Sequence, residues 1–283
     1  MEQTILIPID GTESVEETLL YVRSIAPGSK QETRIVLMHV SPSVDSVNAA
    51  VEVHPNVNAI NDALQYEDWN VTRETRMGDP VREIIKMSIL LPATMILMST
   101  HGRSGLERIR DGSVTEQVLK QSPCPVFILH STKPEPADKR TDDLFKRILV
   151  PLDGTDASAA ILTCVERFAK LHDSEIVLFH DELEHAEYAE EKAAIKAKLQ
   201  DHSVALANSG LRVSLDMTTY KKPIREILDR IDSLGIDLVS MATHGSGGDK
   251  IAMDESVTAE VVRHSNCPLL VWSAEPQCPT VTK

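Results

Sequence analysis

The sequence predicts an α/β fold made twice over: two tandem open, mostly parallel five-stranded sheets with helices on both faces. Three observations predict it. Short, nearly continuous apolar runs alternate with amphipathic helical patterns, the signature of strands covered on both faces in a parallel sheet. The landmarks of the first half return in the second at a fixed offset of 143 residues. The length of 283 residues suits two domains at roughly 100 to 200 residues each.

The repeat is read directly from the chain. Pro8-Ile9-Asp10-Gly11-Thr12 returns as Pro151-Leu152-Asp153-Gly154-Thr155, Thr100-His101-Gly102 as Thr243-His244-Gly245, and Pro80 as Pro223. Ser113-Val114-Thr115 and Cys124-Pro125 return as Ser256-Val257-Thr258 and Cys267-Pro268. A period of this size is that of a whole domain, far longer than a solenoid unit. The expected division is a domain over 1–131, a linker over 132–143 rich in Pro and charge, and a domain over 144–283.

In the first copy, Thr4-Ile5-Leu6-Ile7-Pro8 reads as the first strand, and Ser14 to Ile25, with Val15, Leu19 and Val22 on one face, as the helix after it. Ile35 to Val40 is the second strand. Val71 to Met77 alternates and is the more exposed strand. Pro80, at a first-turn position, opens a helix over Val81 to Leu90. Met95 to Met98 and Val126 to Leu129 complete the core strands. The second copy repeats the pattern with strands at Ile148 to Pro151, Ile176 to His180, Leu211 to Met217, Leu238 to Met241 and Leu269 to Trp272. Its second helix is longer, roughly Ala186 to Asn208, and Ser209-Gly210 closes it.

Composition narrows the function classes. A formal net charge of −14 disfavours a phosphate-backbone partner, since nucleic-acid binders concentrate Lys and Arg on one face. No apolar run approaches the 18 or so residues of a spanning helix and no leader pattern precedes the first strand, so a cytoplasmic protein without membrane attachment is expected. Cys124, Cys164, Cys267 and Cys278 lack CxxC spacing and a His/Cys cluster, which argues for buried free thiols over zinc or disulfides.

Ligands of a parallel sheet bind beyond the carboxyl ends of its strands. There the first copy has Asp10-Gly11-Thr12, then Val40, then Ser99-Thr100-His101-Gly102. Nine residues separate Gly102 from Gly112-Ser113-Val114, where the next helix begins. Glycines on both sides of a loop feeding a helix N-terminus allow close backbone approach, and the free N–H groups and helix dipole attract an anion. Ser113 adds a hydroxyl, Arg103, Arg108 and Arg110 add positive charge, and Asp10 opposite can accept hydrogen bonds from a base or ribose. Each feature also has a plainer reading: Asp10 and Thr12 as turn caps, the glycines as turn residues, and His101 and His244 as loop-orienting groups.

These residues resemble the universal stress protein family, whose nucleotide-binding members carry a small residue, two spacers, Gly, nine spacers and Gly-Ser/Thr. The resemblance spans nearly the whole chain in both copies and takes in the strand-one Asp, Gly78-Asp79-Pro80 and the Cys-Pro before each last strand. It implies a Rossmann-like domain in which Asp10 and the backbone at Val40 hold adenine while the glycine loop and Ser113 hold ribose and phosphates. Ser99 stands where Gly is usual. The implied site is Pro8, Asp10, Gly11, Thr12, Val40, Ser99, His101, Gly102, Arg103, Gly112, Ser113 and Val114, with ATP, ADP or AMP as ligand and any Mg²⁺ held chiefly through the phosphates. It also implies pairing of last strands, here Val126 to Leu129 with Leu269 to Trp272, as an intrachain pseudo-dimer. A homodimer of such chains and a regulatory protein partner are further expectations.

The second copy departs at the cradle. With nine residues between them, Gly245 is followed by Glu255, where the first copy has Gly112. A carboxylate there satisfies the amides a phosphate needs and repels it, by about 4 kcal/mol at 4 Å and an effective dielectric near 20 before solvent screening. Residues 103–112 carry a net +1 (three arginines against Glu107 and Asp111), whereas 246–255 carry −2 (Lys250 against Asp249, Asp254 and Glu255). Asp181, in the place of Val40, adds another negative group. One nucleotide-competent copy and one degenerate copy are therefore expected.

No catalytic set is legible. Asp10-Gly11-Thr12 is similar to a haloacid-dehalogenase-type loop, but the nucleophile position is Pro8, and GxxxxGK[ST] is absent. The reading is a nucleotide-binding sensor or regulator of a stress response. The alternatives are a protein-interaction scaffold that binds no nucleotide and a slow ATPase.

Overall fold

The computed structural model describes residues 3–11, 13–26, 30–41, 55–100, 114–130, 144–181, 189–219, 222–243 and 257–272. The chain divides into two compact units, one carrying the described residues up to His130 and the other those from Leu144 onward. The linker expected over 132–143 lies outside the described residues.

The first unit has five strands: β1 (Gln3–Pro8), β2 (Thr33–Ser41), β3 (Asn70–Met77), β4 (Met95–Thr100) and β5 (Val126–His130). All pair in parallel in the order β3-β2-β1-β4-β5. The pattern of the apolar runs explains the layout. Ile5, Leu6, Ile35, Val36, Ile96 and Phe127 are fully buried, as central strands covered on both faces require. β3 alternates between exposed and half-buried positions because it is the edge.

Among the described residues, four helices connect these strands: α1 (Val15–Ile25), α2 (Pro55–Tyr66), α3 (Pro80–Leu90) and α4 (Val114–Gln121). The Ser14 side chain caps α1 by accepting from the Glu17 N–H, and Asp79 caps α3 by accepting from the Arg82 N–H, with Pro80 at the first helical position. Helices α1 and α2 pack together, as do α3 and α4. Right-handed crossovers put these two pairs on opposite faces of the sheet. The sequence pattern assigned no helix between β2 and β3. In the structure α2 is there, held by Val57, Ile60 and Leu64, a stripe too short to stand out among its polar neighbours.

The second unit repeats the sheet. Its strands β6 (Arg147–Pro151), β7 (Glu175–Asp181), β8 (Arg212–Thr218), β9 (Leu238–Ala242) and β10 (Leu269–Trp272) are parallel in the order β8-β7-β6-β9-β10. The first connection differs. A single helix follows β1, but two follow β6: α5 (Asp156–Ala159) and α6 (Leu162–His172). The Ala160 N–H is shared between the Asp156 and Ala157 carbonyls, a tightened last turn that ends α5. The remaining helices are α7 (Ala189–Asn208), α8 (Pro223–Leu234) and α9 (Val257–His264). Of the long helix expected from Ala186, residues 186–188 fall outside the described set.

Candidate functional site

In the first unit β1 lies between β2 and β4. The chain goes from β1 to β2 on one side and reaches β4 on the other, so the loops after β1 and β4 lead to helices on opposite faces. This is the switch point at which open α/β sheets leave a crevice. Pro8 ends β1, and Asp10, exposed, follows it beyond the sheet. The β1–β2 register pairs Pro8 with Met38, and the Ile9 N–H continues the ladder to the Met38 carbonyl at 2.8 Å, which brings Asp10 level with Val40. Val40 is half-buried in β2, and Ser99 is half-buried in β4 beside Leu129 of β5. Val114 opens α4 and is 37% exposed. The strand ends thus gather Asp10, Val40 and Ser99 at one edge of the sheet. Thr12, His101, Gly102, Arg103, Gly112 and Ser113 lie outside the described residues.

The β1–α1 loop has an internal order that the motif did not reveal. Gly11 adopts φ +96°, a conformation that favours glycine. The Glu13 carboxylate turns back and accepts the Asp10 N–H at 2.9 Å and the Gly11 N–H at 2.8 Å. Its residue is only 7% exposed. Burial holds the Glu13 carboxyl above the usual carboxylate range, and the adjacent Asp10 charge pushes the same way against the backbone bonds. From α2, the Asn56 amide donates to the Gly11 carbonyl at 3.3 Å and the Glu13 carbonyl at 3.0 Å. The His39 Nδ1 lies 3.0 Å from the Ile9 carbonyl, where its N–H donates and fixes the end of β1. Sequence reasoning missed Glu13, Asn56 and His39. Only His39 left a signal, since His180 repeats its bond by donating to the Leu152 carbonyl at 2.7 Å.

The matching loop of the second unit is built otherwise. The Asp153 Oδ1 accepts from the Thr155 N–H at 2.9 Å and from the Thr155 hydroxyl at 2.6 Å, and the Thr155 hydroxyl in turn caps α5 by accepting from Ser158. Asp156, the counterpart of Glu13 in the repeat, is 94% exposed and pairs with Lys198 of α7 at 3.1 Å. Gly154 has φ +87°, and a Cβ there would meet Ile195 of α7 at 2.8 Å. So α7 lies directly over this turn. At the far side, the Thr258 hydroxyl donates to the Ala242 carbonyl and ties the start of α9 to the end of β9. Gly245 and Glu255 fall outside the described residues.

Among the described residues no group of three or more His, Cys, Asp or Glu is disposed to hold a metal ion, and no helix is long and apolar enough to cross a membrane.

The sequence profile of the universal stress protein family matches residues 1–130 and again 144–272. The chain belongs to the universal stress protein family. This universal stress protein is 31% identical over 142 residues to universal stress protein MJ0531 of Methanocaldococcus jannaschii, covering 46% of this chain and 84% of that protein. It is 27% identical over 156 residues to MJ0577 of the same organism, covering 46% and 95%. A solved universal stress protein from Archaeoglobus fulgidus superposes with a TM-score of 0.73 over 97% of each chain at 23% identity, a likeness of fold. The expected α/β fold of parallel sheets in two repeats is what this protein has.

Proposed function

We propose that the first copy binds an adenine nucleotide, ATP foremost, and that the protein serves a stress response as a nucleotide-responsive regulator rather than as an enzyme. The observation that carries this reading is the strand order, which opens a crevice at the carboxyl ends of β1 and β4 with Asp10 and Val40 on one lip and Ser99 on the other. These are the residues that the family resemblance assigns to the nucleotide. In this reading Asp10 accepts hydrogen bonds from the base or ribose, the Val40 backbone reads the base edge, and the phosphates run toward Gly102, Gly112, Ser113 and the N-terminus of α4. The family resemblance adds Pro8, Gly11, Thr12, His101 and Arg103 to the same proposed site, with any Mg²⁺ entering with the phosphates. The β1–α1 loop is unsuited to phosphate, because Glu13 already takes the N–H groups of Asp10 and Gly11.

The second copy is proposed not to bind nucleotide. Its Asp153 carboxylate is engaged by Thr155, and Ile195 closes on Gly154.

The test is direct. Purified protein is denatured, the supernatant assayed for nucleotide, and ATP is then titrated into the nucleotide-free protein and into Asp10→Ala. Binding that weakens about tenfold or more in Asp10→Ala, the loss expected for a charged hydrogen-bond acceptor, supports the reading. Absence of both released nucleotide and binding overturns it.

A further inference from the structure

The Glu13 carboxylate has no role in the site just proposed, yet it is the most constrained group of the β1–α1 loop. It is nearly buried, both oxygens are aimed at successive backbone N–H groups, and Asn56 holds the carbonyls on either side. Two N–H donors facing two oxygens need both oxygens to be acceptors. A carboxylate meets that need. A carboxylic acid meets it poorly, because the protonated oxygen becomes a hydroxyl, a much weaker acceptor whose own O–H competes for the space facing the N–H.

We infer that Glu13 is a proton-operated clasp on the β1–α1 loop, positioning Asp10 for ligand when ionised and releasing it when protonated. The inference rests on the nucleotide reading of the first copy for its consequence, though not for its geometry. Asp10, on the same loop, is the charged group that acts on Glu13 among the described residues. The helix over the loop, α2, presents the neutral Asn56 amide, and α1 begins with Glu16 and Glu17, which supply no opposite charge. Among the described residues the ionised form is favoured by backbone N–H groups, those of Asp10 and Gly11 that make up the clasp and that of Glu13 itself. Burial and the Asp10 charge hold the carboxyl above its ordinary range, so protonation sets in at a milder acidity than for an exposed glutamate.

The second copy supplies the contrast. Its counterpart Asp156 is solvent-exposed and ion-paired with Lys198, and the turn is closed instead by the Thr155 hydroxyl and N–H on Asp153. That turn engages a single carboxylate oxygen of Asp153, so it does not require both oxygens of a buried carboxyl to accept, as the Glu13 clasp does.

Two measurements on the full chain test this. In the first, the amide resonances of Asp10 and Gly11 and the Glu13 side-chain carboxyl carbon are followed by NMR from pH 7.5 to 4 without nucleotide. All three are expected to share one midpoint above 4.5, and in Glu13→Gln the two amides should be static. Amides that titrate independently of the Glu13 carbon, or do not move, overturn the clasp whether or not ATP binds. In the second, ATP affinity is measured across pH 7.5 to 4 for wild type and E13Q, and the ratio of the two cancels the titration of the nucleotide's own phosphates. Wild type is expected to bind about tenfold tighter at pH 7.5, the worth of one charge-assisted bond pair, with the advantage declining as the pH falls through the Glu13 midpoint read by NMR. A ratio that stays constant with pH overturns the clasp while leaving the nucleotide site standing. Failure of ATP to bind either protein at any pH overturns the nucleotide reading, and the amide titration then decides the clasp alone.

Discussion

At the scale of single residues, the two copies share landmarks but spend them differently. Asp10 and Asp153 are the same letter in the same motif, yet the Asp153 carboxylate is consumed by Thr155 while the amides beside Asp10 are consumed by Glu13. The motif made Asp10-Gly11 legible in the sequence. Glu13 and Asn56 were not, because their roles depend on a side chain turning back on its own loop and on a helix arriving from 43 residues away. Gly154 offers a sharp test of this scale. Its φ of +87° and the 2.8 Å approach to Ile195 mean that Gly154→Ala should destabilise the second unit by roughly 2–4 kcal/mol. Adding Ile195→Ala should recover the steric part and leave the backbone part, as seen in denaturant midpoints. Histidines set the acid limb. Burial holds His130 and His172 down to about 4 from an ordinary 6.5, with the Lys146 charge adding to the effect at His172. The unfolded chain therefore takes up protons first as the pH falls, so stability complete above pH 6.5 is lost progressively toward pH 4. His172, wedged against Phe145 and Phe168, is the one to vary: His172→Leu should shrink that acid-induced loss by roughly 2 kcal/mol in urea melts at pH 7 and 4.5.

At the scale of elements, the long, strongly patterned pieces were plain from the sequence and the short ones were not. The apolar runs of β1, β2, β4 and β5 mark buried parallel strands, and Ser14 and Pro80 mark helix starts, with Ser14 and Asp79 as the caps the structure shows. The three-residue stripe of α2 and the splitting of α5 from α6 left no such mark, since the first is masked by polar neighbours and the second turns on a shared N–H at Ala160. The turn before each last strand is a repeated device. The Ser122 hydroxyl donates to the Cys124 carbonyl at 2.6 Å and accepts the Cys124 N–H, and Ser265 treats Cys267 the same way. Ser122→Ala should cost about 1 kcal/mol in thermal or chemical melts. Among the described residues the cysteines are structural: Cys124, Cys164 and Cys267 are buried thiols that form no disulfide, and burial pushes the Cys124 thiol up to about 11. Iodoacetamide at pH 8 should leave Cys124 unmodified in the folded protein and label it after unfolding, as peptide mass mapping would read.

At the scale of the whole molecule, duplication gave one scaffold two differently built β1–α1-type turns. The period of 143 residues was legible from motifs alone, and so was the sequence difference between the copies, Gly112 against Glu255 with opposite loop charges, on which the proposed asymmetry rests. The structure adds an independent difference at the other end of each crevice: a glutamate clasp in the first copy, and a turn covered by α7 in the second. Both differences are what the proposal of one ligand-binding copy and one copy without ligand rests on. The most direct test is the stoichiometry of ATP binding by calorimetry on the nucleotide-free full chain and on Gly112→Glu, which copies the loop charge of the second half into the first. The expected result is one ATP per chain in wild type and none in Gly112→Glu. Two ATP per chain, or equal heats from the two proteins, would contradict the asymmetry.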